Sequence, residues 1–476
     1  MAYQKAILDL KVEDVVLVKP SKSTPSCILS LSTLDNKVSN NNICQFVHVY
    51  RSSTIHDSDS SFNPCHDFKV ALSKALFYYY PLAGRLVTHV DGKHRVEIKS
   101  NNAEFGVPVL EAIAKCTLSS VHYLDVNDIE MAKHLVLDFP SPQDKSYPLV
   151  FMVTKFLCGG FTIGMGISHA LCDGFGVSQF FKAIVELANG KSEPSVKPVW
   201  ERERLVGSIN KQPFHLFPMD KESAAFTPFL NQINSTDIKQ YCFKVEGEVI
   251  ARLKLSLMKE SENMKFTTFE SLAGYVWRSR ARALKLSNNG KTMLDILVSI
   301  RRHMKGYDPL PEGYYGNSIV DGKLVLKVSE LNERPLYEIV KLIKETINVA
   351  STTDYVTNWI DTWETINQEE DISTELEASG AVTVLTEWKH LGFMENVDFG
   401  KNEVVNFVPA PCKMLATVDV CIFMHPSKID DDNPLMKGGV KIFTSLPVAS
   451  MLKFRDEIEA LKIERYDQGS NSNPSD

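Results

Sequence analysis

Two α/β domains of similar size, joined by a long crossover, are what this sequence of 476 residues predicts. Three observations carry the prediction. Strand-like and helix-like periods interleave in both halves of the chain. A proline-bearing stretch with little periodicity, residues 189–235, separates the halves and is too long for an ordinary loop inside one domain. At about 150 residues per domain, the length suits two or three domains. The expected boundaries are an N-terminal α/β domain at 1–188, a crossover at 189–235, a C-terminal α/β domain at 236–465 and a disordered tail at 466–476.

In order along the chain, residues 51–61 (RSSTIHDSDSS) read as a polar loop. From His66 to Tyr79, apolar residues at Phe68, Leu72, Ala75, Leu76 and Tyr79 keep a helical spacing, and Pro81 stops the helix. Leu149 to Leu157 and Phe161 to Ser168 read as two strands turned at Cys158-Gly159-Gly160. A helix follows from Gly174 to Ala188, with Val177, Phe180, Phe181, Ile184 and Leu187 on one face. After the crossover, Gln240 to Val245 alternates like a strand. Thr267 with Glu270 three residues on is a capping-box signature for a helix to Ala283. Strands near Thr417 to Met424 and Val440 to Ser445 precede a helix opened by Pro447. No repeat of 20 to 50 residues is visible.

Composition excludes several classes. With 44% hydrophobic and 23% charged residues the chain is an ordinary globular one, and a net charge of -7 argues against nucleic-acid or anionic-membrane binding. Nine scattered cysteines, odd in number and without a CxxC pair, argue for a reducing compartment. The N-terminus lacks an apolar leader core, and the apolar run from Pro148 to Ile167 is broken by Lys155 and glycines. A cytoplasmic protein without a membrane span is therefore expected.

The chemistry concentrates at Ser168-His169-Ala170-Leu171-Cys172-Asp173-Gly174, where a strand ends and a helix begins. A histidine there is mostly neutral at pH 7 and can take a proton from an attacking hydroxyl. A carboxylate four residues on can hold the turn. With twelve histidines in the chain, such a pair also arises by chance as a structural contact. Nearby patterns fail. Gly166-Ile167-Ser168-His169-Ala170 lacks the last glycine of a hydrolase elbow, Gly164-Met165-Gly166 lacks the third glycine of a dinucleotide fingerprint, and Asp398-Phe399-Gly400 has no kinase catalytic loop with it. No cysteine or histidine spacing suits a metal.

His169 to Gly174 resembles the HxxxDG motif of the plant BAHD acyltransferases. Further segments of that family follow in order: Leu31-Ser32-Thr33-Leu34-Asp35, Tyr80-Pro81-Leu82-Ala83-Gly84-Arg85-Leu86, Thr267-Thr268-Phe269-Glu270 with Val276-Trp277, Gly313-Tyr314-Tyr315-Gly316-Asn317, and Val397-Asp398-Phe399-Gly400. The resemblance implies two chloramphenicol-acetyltransferase-like domains with a channel between them. It implies a soluble, metal-free monomer that transfers an acyl group, acetyl or aromatic, from acyl-CoA as co-substrate to a hydroxyl of a plant specialised metabolite. His169 would be the general base. Asp173 would point away from it to Arg301, although Ser299 departs from the usual Asp-x-Arg. Asp398 is counted with the catalytic candidates, its motif also suiting a fold-supporting role. Thr386 and Trp388 would line the acyl site, and Asn317, Thr386 and Trp388 are candidate oxyanion donors. Lys265, Thr267 and Thr268 would meet the CoA phosphates at a helix start. The family's DFGWG reads Asp398-Phe399-Gly400-Lys401-Asn402 here. Rival readings are a hydrolase using Ser168 or Cys172 as nucleophile, a carrier-protein condensation domain, and an acyl-CoA-binding relative without acceptor transfer.

Overall fold

The computed structural model describes residues 8–37, 43–52, 62–98, 105–127, 129–137, 147–209, 222–228, 238–301, 309–366, 380–410, 420–431 and 433–463. The expected disordered tail, nearly all of the loop at 51–61 and parts of the crossover lie outside them. The first half supplies β1 (Leu10–Val18), β2 (Cys27–Ser30), β3 (Ile43–Arg51), α1 (Pro64–Tyr78), β4 (Arg85–Thr88), β5 (His94–Ile98), β6 (Val107–Ala114), β7 (Leu149–Phe156), β8 (Phe161–Ser168) and α2 (Gly174–Ala188). The second half supplies β9 (Ile238–Val245), α3 (Gly247–Glu260), α4 (Thr268–Ala283), β10 (Lys291–Ser299), β11 (Ile319–Lys327), α5 (Val328–Glu333), α6 (Leu336–Ala350), α7 (Thr353–Ile366), β12 (Val382–Glu387), β13 (Glu403–Pro409), β14 (Val420–Met424), β15 (Val440–Pro447) and α8 (Val448–Ile463).

These elements build two six-stranded mixed sheets. The first runs β1-β6-β7-β8-β3-β13 and the second β11-β10-β12-β14-β15-β9, with a small sheet β2-β5-β4 beside them. β8 is buried along its whole length, which is why it reads as a nearly unbroken apolar run. The turn between β7 and β8 needs Gly159 at φ 78°. α2 starts where β8 has just ended, because Asp173 caps it by accepting the N–H of Gly176 at 3.0 Å. In the second sheet β10, β12 and β14 are parallel, so their C-terminal ends share one edge. Those ends lead into Arg301, Trp388 and His425.

One expectation is corrected by the strand order. The sequence places residues 236–465 together, yet β13 leaves the second half and pairs antiparallel with β3, Phe407 opposite His48. Val397, Phe399, Val404 and Phe407 accordingly pack in the same core as Phe46, Tyr50 and Phe161. Alternation along a strand tells which of its faces is apolar, not which sheet receives it.

A polar knot ties the two sheets near β13. The Asp125 carboxylate accepts from Lys244 of β9 at 2.6 Å and from the Ser427 hydroxyl at 2.7 Å, and lies 3.6 Å from Lys441 of β15. Lys441 is 1% exposed and donates to Asn406 of β13 at 2.7 Å. Asn406 in turn donates to the Tyr123 carbonyl at 3.0 Å. No described helix is long and apolar enough to cross a membrane.

Removing one partner of a buried ion pair typically costs about 3–5 kcal/mol, because the other charge is left unpaired. Asp125→Asn should therefore lower the stability of the chain by about that amount in urea unfolding. The lysines hold the Asp125 carboxyl below the usual carboxylate range, against the opposing effect of burial. Its contribution is then present at neutral pH and lost as pH falls through that lowered value, so the wild-type advantage over the variant should vanish in strong acid. A variant as stable as the wild type at pH 7 would show the knot to be without weight.

Candidate functional site

His169 leaves β8 one residue past its end and is half-buried. Its Nδ1 is buried without a hydrogen-bond partner, whereas Nε2 stays accessible. Burial is the main cause that pushes its proton affinity below the ordinary 6.5; the charge of Lys37 adds to this, and Asp173, Asp35 and the residue's own carbonyl act the other way. The result is a neutral imidazole at pH 7 with one nitrogen presented outward, which is the form a general base requires.

Asp173 turns its carboxylate to the second half of the chain. Oδ1 lies 3.0 Å and Oδ2 3.2 Å from Arg301 Nη2, just beyond the end of β10. Oδ2 also accepts from Ser318 N at 3.1 Å and Ser318 Oγ at 3.0 Å. Arg301 donates to the Tyr314 carbonyl through Nη1 and to the Gly316 carbonyl through Nη2, the latter at 2.6 Å. Asp173 is therefore a hub that joins α2, β10 and the GYYGN loop; it has no hydrogen bond to the imidazole. Gly176 allows the close approach, since a Cβ there would stand 2.1 Å from the Tyr315 carbonyl oxygen.

Asn317 sits beside this hub. Its Nδ2 donates to the His169 carbonyl at 2.7 Å and to Asp35 Oδ1 at 2.8 Å. Both amide hydrogens are thus spent on holding the loop, and Asn317 has none left for an oxyanion. Thr386 lies near the end of β12 and Trp388 just past it, on the edge shared with Arg301. The Trp388 ring packs against Phe393 and Phe407, and its backbone N–H goes to Phe423 O at 2.8 Å. Thr386 is half-buried, and no hydrogen bond involves its hydroxyl among the described residues. Thr267 caps α4 through the reciprocal pair with Glu270, at 3.1 and 2.8 Å. Phe269, the second residue of α4, meets Phe423 near the end of β14.

One sequence candidate, Asp398, is not brought to His169. Asp398 is exposed, accepts Val404 N at 2.9 Å and hands its carbonyl to Asn189 Nδ2 at 2.9 Å. Asn189 caps the C-terminal end of α2, whereas Asp173 caps its start. A helix of 15 residues puts about 22 Å between those ends, so Asp398 organises a turn. That turn closes on Asn402, whose Nδ2 donates to Phe399 O at 3.0 Å. Cys172 is 2% exposed, and burial pushes its thiol far above the ordinary range, which removes it as a nucleophile. The sequence reading in turn missed Arg202, in the crossover. It is 1% exposed and paired to Asp35 at 3.0 and 3.1 Å. Two prolines nearby and an absence of periodicity gave no local signal for it.

A family model described as "Transferase family" matches residues 8–461. The chain is 37% identical to a spermidine coumaroyl-CoA acyltransferase of Arabidopsis thaliana, covering 96% of this chain and 97% of that one. It is 30% identical to a taxadien-5-alpha-ol O-acetyltransferase of Taxus cuspidata, covering 96% and 98%. Among solved structures, vinorine synthase superposes with a TM-score of 0.69 at 18% identity over 95% of this chain and 98% of that one. F. graminearum TRI101, complexed with coenzyme A and deoxynivalenol, gives 0.70 at 14% identity over 92% and 99%. At such identities the superpositions show the fold.

Asp173→Asn keeps the volume but strips Arg301, whose side chain is 10% exposed, of its counter-charge. The expected outcome is a loss of about 3–5 kcal/mol in unfolding free energy together with loss of activity. Lost activity with an unchanged melting curve would contradict the role as a hub.

Proposed function

This chain belongs to the Transferase family of BAHD acyl-CoA-dependent acyltransferases, and we propose that His169 is its general base, serving direct transfer in a ternary complex. The observation that carries the reading is the asymmetry of one imidazole: Nδ1 sealed, Nε2 accessible, the ring kept neutral by burial, and its carbonyl gripped by Asn317 from the other half.

A thioester is already activated, so the protein needs to orient, deprotonate and stabilise. Nε2 takes the acceptor's proton as its oxygen or nitrogen attacks the thioester carbonyl. The tetrahedral oxyanion collapses and expels the CoA thiolate, which takes that proton back from the imidazolium. Holding two substrates in register supplies about 7–11 kcal/mol of the barrier. The base contributes about 10² to 10⁴-fold. With Asn317 committed elsewhere, the Thr386 hydroxyl and the Trp388 indole N–H remain as donors for the oxyanion. The lysine pair Lys265 and Lys344, joined where Lys344 Nζ meets the Lys265 carbonyl at 2.7 Å, would face the CoA phosphates beside the start of α4 with Thr267 and Thr268.

The acceptor is a hydroxyl or an amine. Relatives named for a taxadienol and for spermidine represent the two kinds, and the two spermidine enzymes of Arabidopsis thaliana, each 37% identical over 96% of this chain, favour an amine with a hydroxycinnamoyl-type donor. Eight described cysteines are free, which supports the cytoplasm.

A panel of acetyl-, benzoyl- and coumaroyl-CoA against alcohols and aliphatic amines, read by thiol release and product mass, tests the reading. His169→Ala should fold with a normal melting curve and lose 10² to 10⁴-fold in kcat. Near wild-type turnover in that variant would remove the base assignment. Because the neutral imidazole is the active form and its proton affinity is lowered, kcat/KM for an alcohol acceptor should hold as pH falls through 6.5 and drop only below it. A midpoint above 6.5 would point to a different base.

A further inference from the structure

Arg202 opens a short 3-10 turn, Arg202–Leu205, in the crossover, and it is one of the largest side chains to be fully buried. Its guanidinium lies over the rings of Trp200 at 4.4 Å, Tyr315 at 5.0 Å and Tyr314 at 5.4 Å. Nη1 holds both oxygens of Asp35, itself 0% exposed, and Nη2 donates to the Leu171 carbonyl at 2.8 Å. Asp35 Oδ1 also accepts from Asn317, through N at 3.0 Å and Nδ2 at 2.8 Å. The same Nδ2 grips the His169 carbonyl at 2.7 Å.

We propose that Arg202 is a positioning residue for His169: reaching in from the crossover, it clamps the loop between β8 and α2 at the Leu171 carbonyl directly and at the His169 carbonyl through Asp35 and Asn317. The inference rests on the reading of His169 as the base. Its support is where the network ends. A buried ion pair that only filled space could end on any polar atoms, whereas this one ends on two carbonyls two residues apart in the loop that carries the imidazole. The guanidinium fork is needed, because one planar group must reach a carboxylate and a carbonyl at once. The loop beyond makes room for it. A Cβ on Gly316 would stand 1.6 Å from Arg202 Nη1, so the second glycine of GYYGN is the space through which the arginine passes. Asp173 and Arg301 pin the far end of the same loop, so two arginines from different parts of the chain hold the backbone that follows His169.

The test uses the full chain with whichever acyl-CoA and acceptor pair it turns over. Arg202→Gln should lower kcat by about 10²-fold, the loss that a misplacement of about 1 Å brings, with KM for the acyl-CoA changed less than threefold. The acid limb of kcat/KM should move up toward 6.5 as water reaches the loosened ring. Arg202→Lys keeps the charge beside Asp35 and should fold even where the glutamine variant does not. It should recover only part of kcat, since an ammonium cannot span Asp35 and Leu171 O together. A purely structural arginine would lower the melting temperature and the active fraction while leaving kcat per active site and the acid limb unchanged, and that result overturns the proposal. So does a folded Arg202→Lys with wild-type kcat. If His169→Ala itself retains turnover, the base assignment fails first and the cause is distinguishable; if His169→Ala is inactive while both Arg202 variants behave as wild type, only the present inference falls.

Discussion

The contact between Asp173 and Arg301 is the constraint on which the rest of the site depends. A carboxylate taken from water must be met by charge and hydrogen bonds on every side, or its burial costs several kcal/mol. Here Arg301, Ser318 and the first turn of α2 meet it together. The requirement pulls the end of β10, the start of β11 and the start of α2 to one point. Once they are there, the loop carrying His169 has little freedom left. The acid of the HxxxD motif is thus better understood through the geometry it enforces than through any proton it exchanges.

Much of this was legible in the sequence, and for identifiable reasons. β8 and α2 were readable because a buried strand is apolar throughout and a half-buried helix is apolar every three or four residues, and both signals are local. The start of α4 was readable because a capping box joins positions three apart, Thr267 and Glu270. Arg301 was found only through the family resemblance; nothing in its neighbours marks it. Asp35 and Arg202 show the limit. They are 167 positions apart, and neither has a periodic neighbourhood that would single it out. Charged residues in irregular segments look like solvated surface until the tertiary structure buries them.

Asn317 and Asp398 show a different limit. Residue type told correctly what each could do, an amide that donates and a carboxylate that accepts, but not whether that capacity was already used. Asn317 spends both hydrogens on Asp35 and His169. Asp398 spends its carboxylate on a turn beside Lys428 and Val404. A motif lists functional groups; only the hydrogen-bond inventory of the folded chain shows which remain unspent.

The placement of β13 has a consequence for biosynthesis. β3 lacks its outer neighbour until residues 403–409 have left the ribosome, when most of the polypeptide has already been made. At about 5–20 residues per second, the nascent first sheet presents an open hydrogen-bonding margin for tens of seconds. Such a margin invites pairing with other chains. Chaperone occupancy during translation, and insoluble product when the message is truncated upstream of that strand, follow from this topology. An expression fragment stopping at the crossover would lack the piece that closes its own sheet.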